Sequence, residues 1–554
     1  MTNHRKRVVV LGAGFAGMFT AKHLRRQSGA DVEVELINET NYFVFQPLLP
    51  EVASGTISSS DAVSPLRILL PGVKIRLATV RAVNFRRNSL QVTDSTRRIL
   101  TELEYDHLVL ALGQTVDLSR FPGLAEHAFT MKTLADAYRL RNHVINCLEH
   151  ADVTDDPAFK RRLLTFVVVG AGFSGVETVG EIKDLIDRSL KFYPRIARDE
   201  IRVVLVEYAG RILPELPIEL ASYTEDKLKR RGIELWLNTA LKAASINSVE
   251  MADGRLVETK TVAATIGTAP CKLVESLGLP MRWGRIAVDA TMRLPGCQNV
   301  WAVGDVALIP LPKREGEEER FAPPTAQFAV REARTLAANI VAAMSGGSLR
   351  TFDYKPKGAL ASIGCHKAVA VLMGLRLSGT TAWLIWRAFY LAMLPGFATK
   401  VRVLINWALD HFFPRNTVQI QVPARESARY LRFRKGDEVF RDRHLADGFY
   451  TVLSGSFDLT IGGGTPSPYR RVLGPGDHFG ERVLFGDELR TGEVVAHEDS
   501  TVLFVERDDF RRFATGFKFL EDYFRTYLKA NFPEHLLPAE FRGKDKDRAA
   551  GGAP

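Results

Sequence analysis

The chain has 554 residues, of which 46% are hydrophobic and 25% charged, and it carries a net charge of +10. This length holds three or so domains, and the composition is that of a globular protein rather than a fibrous or wholly disordered one. The basic balance suits an anionic membrane surface, and no basic stripe interleaved with aromatics is present to favour a nucleic acid.

The N-terminal residues lead directly into a strand, with no apolar signal core. Val8, Val9 and Val10 run into GAGFAG at 12–17, and Val167, Val168 and Val169 run into GAGFSG at 170–175. A short strand, a tight glycine turn and a helix start make a pyrophosphate cradle. Gly12 and Gly170 form the turn, Gly14 and Gly172 let backbone approach phosphate, and Gly17 and Gly175 let helix pack on strand. The spacing predicts a strand over 8–11, a helix over 14–27 and a strand over 32–37. A second such unit runs from 166 to a strand over 201–207. One glycine motif is weak evidence. Two imply two dinucleotides on one chain, and the economical chemistry is electron transfer between a nicotinamide and a flavin.

The second unit interrupts the first. LVLALG (108–113), ending at Gly113, and VAATIG (262–267), ending at Gly267, read as crossovers, with Gly113 expected at the flavin nucleotide and Gly267 at the nicotinamide one, and flavin-type sequence returns at NVWAVGDV (299–306). Residues 381–415 are different: Trp383, Trp386, Phe389, Tyr390, Met393 and Leu394 recur near helical spacing, and Pro395-Gly396 breaks the run. No apolar stretch reaches the roughly 20 residues of a spanning helix, and Arg387 sits inside the best candidate. Amphipathic helices lying in a bilayer interface are expected, with tryptophans at headgroup depth and with Lys400, Arg402 and Arg415 adding positive charge. After about residue 418, short alternating segments with glycine turns predict an antiparallel barrel. The expected fold class is α/β: two Rossmann-type dinucleotide-binding domains, amphipathic helices, then an antiparallel β-roll. The expected divisions are 1–120 and 296–375 (flavin), 121–295 (nicotinamide), 376–416 (helices), 417–535 (β-roll) and 536–554 (disordered tail).

At the first site, Gly12, Gly14 and Gly17 hold the pyrophosphate, and the strand ending LINET offers Asn38 or Glu39 to the adenosine ribose. Asp305 is placed to accept a hydrogen bond from the ribityl chain. At the second, Gly170, Gly172 and Gly175 hold another pyrophosphate, and Glu207 meets the ribose hydroxyls. A carboxylate there repels a 2′-phosphate, so NADH is favoured over NADPH. Four cysteines, Cys147, Cys271, Cys297 and Cys365, lie far apart, so neither a metal site nor a disulfide framework is expected. The segment QPLLPEVASG contains no cysteine pair, which excludes a dithiol relay and leaves an external electron acceptor.

These features, with NYFVFQPLLPEVASG (41–55), YDHLVLALG (105–113), GAGFSGVETVGE (170–181), WAVGDVA (301–307), PPTAQFAV (323–330), YKPKGALASIG (354–364) and LINWALDHFF (404–413), resemble the type II NADH:quinone oxidoreductases of the pyridine nucleotide-disulfide oxidoreductase superfamily. The resemblance covers nearly all of residues 1–415. It implies noncovalent FAD, NADH as donor, a membrane quinone as acceptor, monotopic attachment through the C-terminal helices and a homodimer, on the cytoplasmic face of the inner membrane. It implies proton handling by Glu177 near the nicotinamide–flavin contact and places Gln327 beside the isoalloxazine and the quinone mouth. It brings Lys357 toward the flavin and Lys400 toward the quinone entrance. Where the family pattern often has a second glutamine, this chain has Arg331. With no spanning helix, proton pumping is not expected.

The C-terminal segments FRKGDEVF (433–440), FYTVLSGSFDL (449–459) and HFGERVLFGDELRTGEVVA (478–496) resemble the cyclic-nucleotide-binding β-roll. The resemblance implies that Gly480 and Glu481 bind a ribose 2′-hydroxyl and that Arg490, with Thr491 beside it, grips the cyclic phosphate. Arg482-Val483 and Gly492-Glu493 depart from the pattern. No helix-turn-helix follows. Two other readings stay open: a sulfide:quinone oxidoreductase, which needs cysteines beside the flavin, and a flavin redox sensor signalling through the β-roll.

Overall fold

The valine runs become the strands Lys6–Leu11 and Thr165–Val169, and Val8, Val9, Val10, Val167 and Val168 are fully buried. β-branched side chains favour extended backbone, and a parallel strand covered on both faces reads as an unbroken apolar run. The computed structural model describes residues 5–537 except 95–98, 246, 314–317, 357, 416, 420–427, 434, 463–466, 486–487 and 534–535. The chain divides into two compact units, Met1–Leu90 with Glu104–Ile420, and Gln91–Leu103 with Gln421–Pro554.

In the first unit, parallel strands run in the order Val300–Ala302, His107–Leu110, Lys6–Leu11, Val32–Asn38 and Lys74–Asn84. A second parallel sheet has the order Ala128–Thr130, Thr261–Ala264, Thr165–Val169, Arg202–Val206 and Ile233–Trp236. The glycine turns lie at the carboxyl ends of the strands, where the order reverses, which is where open α/β sheets bind ligands. The chain leaves the first sheet after Leu110 and returns after Ala264. The two crossings pair as short antiparallel strands, Thr115–Val116 with Thr268–Ala269. Gly113 and Gly267 turn there with φ of 64° and 81°.

The returning segment ends in the helix Ala326–Ser345, started by the Thr325 side chain and closed by Gly346 in the left-handed region. It packs against the first nucleotide helix, Phe15–Gln27. A three-stranded antiparallel sheet (Gly358–Gly364, Lys367–Leu372, Leu375–Ser378) then leads into the helices Gly379–Met393 and Phe397–Phe412. Among the described residues no helix is long and apolar enough to cross a membrane.

One expectation for these helices is corrected. Trp386 and Trp407 do not stand at the surface; they are 1% and 5% exposed, because their indole N–H groups are drawn inward by buried carboxylates. The exposed apolar residues include instead Leu384, Phe397, Leu404, Ile405, Phe412 and Phe413.

The second unit holds two four-stranded sheets. One has the order Ala428–Phe433, Ser500–Glu506, Gly448–Ser454, His478–Phe479; the other runs Glu438–Phe440, Gly492–Ala496, Phe457–Ile461, Tyr469–Leu473. Their pairings are antiparallel, and they enclose an aromatic core that includes Phe440, Tyr450, Phe457, Phe479 and Phe504. Two helices follow, Arg507–Gly516 and Lys518–Asn531. Beyond Leu537 the tail expected from residue 536 lies outside the described residues.

Candidate active site

Both cradles follow one plan. Gly12 and Gly170 have φ of 95° and 97°, and a Cβ on Gly17 or Gly175 would lie 1.9 or 1.7 Å from the carbonyl oxygen of Gly12 or Gly170. Only glycine fits that approach. A Cβ on Gly14 or Gly172 would meet nothing within 4 Å, and neither residue's helix has a side-chain cap. The first backbone N–H groups of two helices therefore face open space, which fits the pyrophosphate of a dinucleotide.

The strand-end residues complete the correspondence. Asn38 Oδ1 accepts from Ala13 N at 2.9 Å, and Glu207 Oε2 accepts from Ala171 N at 2.6 Å. Of the two residues left open at the first site, Asn38 is the one that bonds the glycine turn; Glu39 beside it is exposed. The Asn38 amide also donates to Thr40 O at 2.9 Å, which fixes its orientation. Glu207 Oε1 accepts from Ala209 N at 2.9 Å. Arg211 turns away from the site and donates to the carbonyls of Pro214 and Leu216.

Asp305 lies in the turn Gly304–Val306, where burial pushes its carboxyl up against the pull of Lys132 and Arg285. Glu332, which the sequence reading missed, accepts from Gly304 N at 2.9 Å, and burial pushes its carboxyl up to about 7. Gln327 opens the helix Ala326–Ser345. Its Oε1 accepts from Tyr354 O–H at 2.6 Å and its Nε2 donates to Gly358 O at 3.1 Å, so the amide is locked. Arg331 donates to Gln327 O at 3.0 Å and lies 4.9 Å over the Tyr354 ring. Lys357 lies outside the described residues. Lys400 donates to Ala392 O at 2.9 Å, at the end of the preceding helix.

Glu177 is buried on the helix Phe173–Ser189 and accepts from Ser362 N at 3.1 Å and Trp386 Nε1 at 3.3 Å. Burial pushes its carboxyl up to about 8, although both hydrogen bonds favour the charged form. Glu51 and Glu181 share the same interior. Glu51 accepts from Trp407 Nε1 at 2.9 Å and Glu181 from Ser54 Oγ at 2.6 Å. Arg387 stacks between Trp383 and Trp407, with its guanidinium 4.0 and 4.6 Å from their rings. Sequence reasoning missed Glu51, Glu181 and the inward role of Arg387. The available signal was an arginine in an apolar helix and a glutamate inside QPLLPEVASG, each of which needs a partner once buried.

In the β-roll, Glu481 and Arg490 are 2% and 5% exposed and line one cleft with Gly480 and Thr491. Glu481 Oε2 has no hydrogen-bond partner among the described residues, and burial pushes its carboxyl up to about 7. The Arg490 guanidinium donates to Asp447 Oδ1 at 2.7 Å and Gly448 O at 2.6 Å, and lies 4.2 Å over the Phe440 ring.

Known proteins match this layout. The family model for pyridine nucleotide-disulphide oxidoreductases matches residues 6–333, that for the NDH2 C-terminal domain residues 357–416, and that for the cyclic nucleotide-binding domain residues 430–516. A type II NADH:quinone oxidoreductase of Mycobacterium tuberculosis is 32% identical over 427 residues, covering 74% of this chain and 89% of the relative. The chain belongs to the type II NADH:quinone oxidoreductases. An internal alternative NAD(P)H-ubiquinone oxidoreductase of Solanum tuberosum mitochondria is 29% identical, over 76% of this chain and 89% of its own length. Among solved structures, NDH2 from Plasmodium falciparum in complex with NADH aligns with a TM-score of 0.69 at 20% identity, over 75% of this chain and 100% of that one. The sulfide:quinone oxidoreductase of Aquifex aeolicus aligns with a TM-score of 0.56 at 21% identity, over 74% and 96%. These structural likenesses establish the fold. The oxidoreductase and NDH2 C-terminal family models end at residue 416, ahead of the cyclic nucleotide-binding match.

Proposed function

We propose that this chain oxidises NADH and reduces a membrane quinone through noncovalently bound FAD, without pumping protons. The correspondence of the Ala13–Asn38 and Ala171–Glu207 contacts carries the reading, because it builds two dinucleotide sites on one chain. When bound, FAD accepts hydride from NADH and returns two electrons to the quinone. Gly12, Gly14, Gly17, Asn38 and Asp305 hold the flavin nucleotide, and Gly170, Gly172, Gly175 and Glu207 hold NADH. Gly113 and Gly267 shape the crossings beside them. Glu207 disfavours a 2′-phosphate by charge, and Arg211 is held away from it. Gln327 presents a fixed amide on the acceptor side, and Glu177 holds a proton there at neutral pH. Lys357 and Lys400 border the acceptor side.

The exposed Leu384, Phe397, Leu404, Ile405, Phe412 and Phe413 fit a bilayer interface, and exposed Arg402 beside them fits anionic lipid. The chain sits peripherally on the cytoplasmic face of the inner membrane, as a homodimer. Purified protein shows a flavin spectrum, bleaches with NADH under anaerobic conditions and recolours with quinone; protein that stays colourless, or that NADH does not bleach, overturns the reading. The sulfide alternative needs reactive thiols. Cys147 is buried beside His143, with its thiol pushed up to about 11 by burial, and on the NADH:quinone reading alkylation of the exposed Cys365 leaves NADH turnover intact.

The β-roll favours a second, regulatory reading, in which a cyclic nucleotide binds between Gly480-Glu481 and Arg490-Thr491. The unpartnered, buried Glu481 Oε2 supports it as an acceptor for a ribose hydroxyl. Saturating cAMP or cGMP then raises thermal stability and changes turnover; if neither moves, the regulatory reading fails.

A further inference from the structure

The β-roll carries an aromatic tip that its own core does not use. The helices Arg507–Gly516 and Lys518–Asn531 turn Phe510, Ala514, Phe524 and Leu528 inward, where all four are buried. Phe510 stacks on Phe449 with ring centroids 4.1 Å apart and meets Phe524 edge-on at 5.3 Å. That apolar face holds both helices on the roll. Phe513, Phe517 and Phe519 stand outside it, 60%, 50% and 68% exposed. The centroids of Phe513 and Phe517 are 6.3 Å apart, and those of Phe517 and Phe519 are 5.9 Å apart, so the three rings form one patch. Single exposed apolar side chains are ordinary, but a contiguous group of them marks a contact surface.

Cations frame the rings. Residues 511–519 include Arg511, Arg512 and Lys518 and no acid, and all three cations are exposed. Of the acids on the same two helices, Asp509 lies 3.9 Å from Arg512, a surface contact that removes little of its charge from water. Glu521 pairs with Arg525 at 2.7 Å. Asp508 and Asp522 are exposed and fall outside the stretch.

We infer that this tip enters the headgroup layer of an anionic bilayer and gives the β-roll a lipid contact of its own, in addition to that of the helices Gly379–Met393 and Phe397–Phe412. This rests on the reading of the chain as a peripheral membrane protein. Rings interleaved with cations suit a headgroup layer, where the ring meets acyl chain and the cation meets phosphate. A second copy of the chain is a poorer occupant. A two-fold contact through the tip sets Arg511, Arg512 and Lys518 against the same three cations, and lysine is depleted from protein contacts. Two lipid contacts on one chain also reinforce each other, because the first raises the concentration of lipid met by the second.

The test is co-sedimentation of the whole flavin-loaded chain with vesicles of phosphatidylcholine alone and of phosphatidylcholine mixed equally with phosphatidylglycerol. Phe513→Ser and Phe519→Ser each weaken binding to the anionic vesicles about tenfold. Lys518→Gln weakens it about fivefold and leaves binding to phosphatidylcholine unchanged. Melting temperature changes little, because the inward face of both helices is untouched. If a phenylalanine variant melts lower, Lys518→Gln decides by the same measure. Variants that bind anionic vesicles as tightly as the unaltered chain overturn the inference. So does a Phe519→Ser variant whose oligomeric state falls while its vesicle binding holds, since the tip then joins copies of the chain. An unaltered chain that binds neither kind of vesicle sinks the peripheral-membrane reading instead.

Discussion

Asn38 stands to the first glycine turn as Glu207 stands to the second. Each accepts from the residue between the first two glycines, Ala13 or Ala171. On the proposed reading, a neutral amide at the first site would not discriminate against a nearby phosphate, whereas a carboxylate at the second would. Glu207→Gln keeps the size of the side chain and one of its two accepted bonds and removes the charge. The ratio of kcat/KM for NADH over NADPH is expected to fall about tenfold, corresponding to ~1.4 kcal/mol. Steady-state kinetics with both donors checks this, and an unchanged ratio removes Glu207 from donor selection.

Glu177 links protonation to folding stability. Its carboxyl is raised from 4.5 to about 8 by burial, so between those values the native state binds a proton that the unfolded chain has released. Its contribution is present in full below the unfolded value and is lost as pH rises through about 8. Glu177→Gln, permanently neutral, flattens this part of the pH dependence and melts higher than the unaltered chain at pH 8, while quinone reduction drops. Calorimetric melts from pH 5 to 8.5 read it out; parallel curves for the two proteins contradict the assignment.

Phe397 and Phe412 are 83% and 78% exposed at the two ends of one helix. Transfer of a phenylalanine side chain out of water stabilises by about 2 kcal/mol, so Phe397→Ser and Phe412→Ser each weaken vesicle binding roughly thirtyfold. Melting temperature changes little, because both rings are largely exposed and Phe412 meets only the edge of His411 among the ring contacts. Co-sedimentation with anionic vesicles measures the loss; full retention by the double variant places the membrane contact elsewhere.

Asp447 already satisfies part of the Arg490 guanidinium. A cyclic phosphate entering the cleft competes with that carboxylate. Asp447→Asn therefore tightens cyclic-nucleotide binding, and Arg490→Gln abolishes it. Titration calorimetry with cAMP distinguishes the three proteins, and equal heats from all three discard Arg490 as the phosphate ligand.

The nucleotide cradles were legible in sequence because each requirement is local: the turn, the close approach and the strand-end acceptor fall within about forty residues in each unit. The paired crossings were legible for the same reason, since Gly113 and Gly267 each close a readable strand. The choice between Asn38 and Glu39 was not, because it depends on where the strand stops. The glutamate interior was illegible except at Glu177. Glu51 and Trp407 are separated by 356 positions in sequence, and no periodicity connects them. The tryptophans were misread because interfacial and buried indoles look alike in a helical pattern; only a hidden carboxylate tells them apart.

That hidden hydrogen bonding gives the two C-terminal helices a second duty. They are lids over acid groups as well as the face proposed to meet lipid. Extraction harsh enough to peel them back floods Glu51 and Glu177 with water and returns them to ordinary carboxylic acids. Such a preparation keeps its colour and still hands electrons to dyes, yet stalls with quinone until lipid presses the lid shut again.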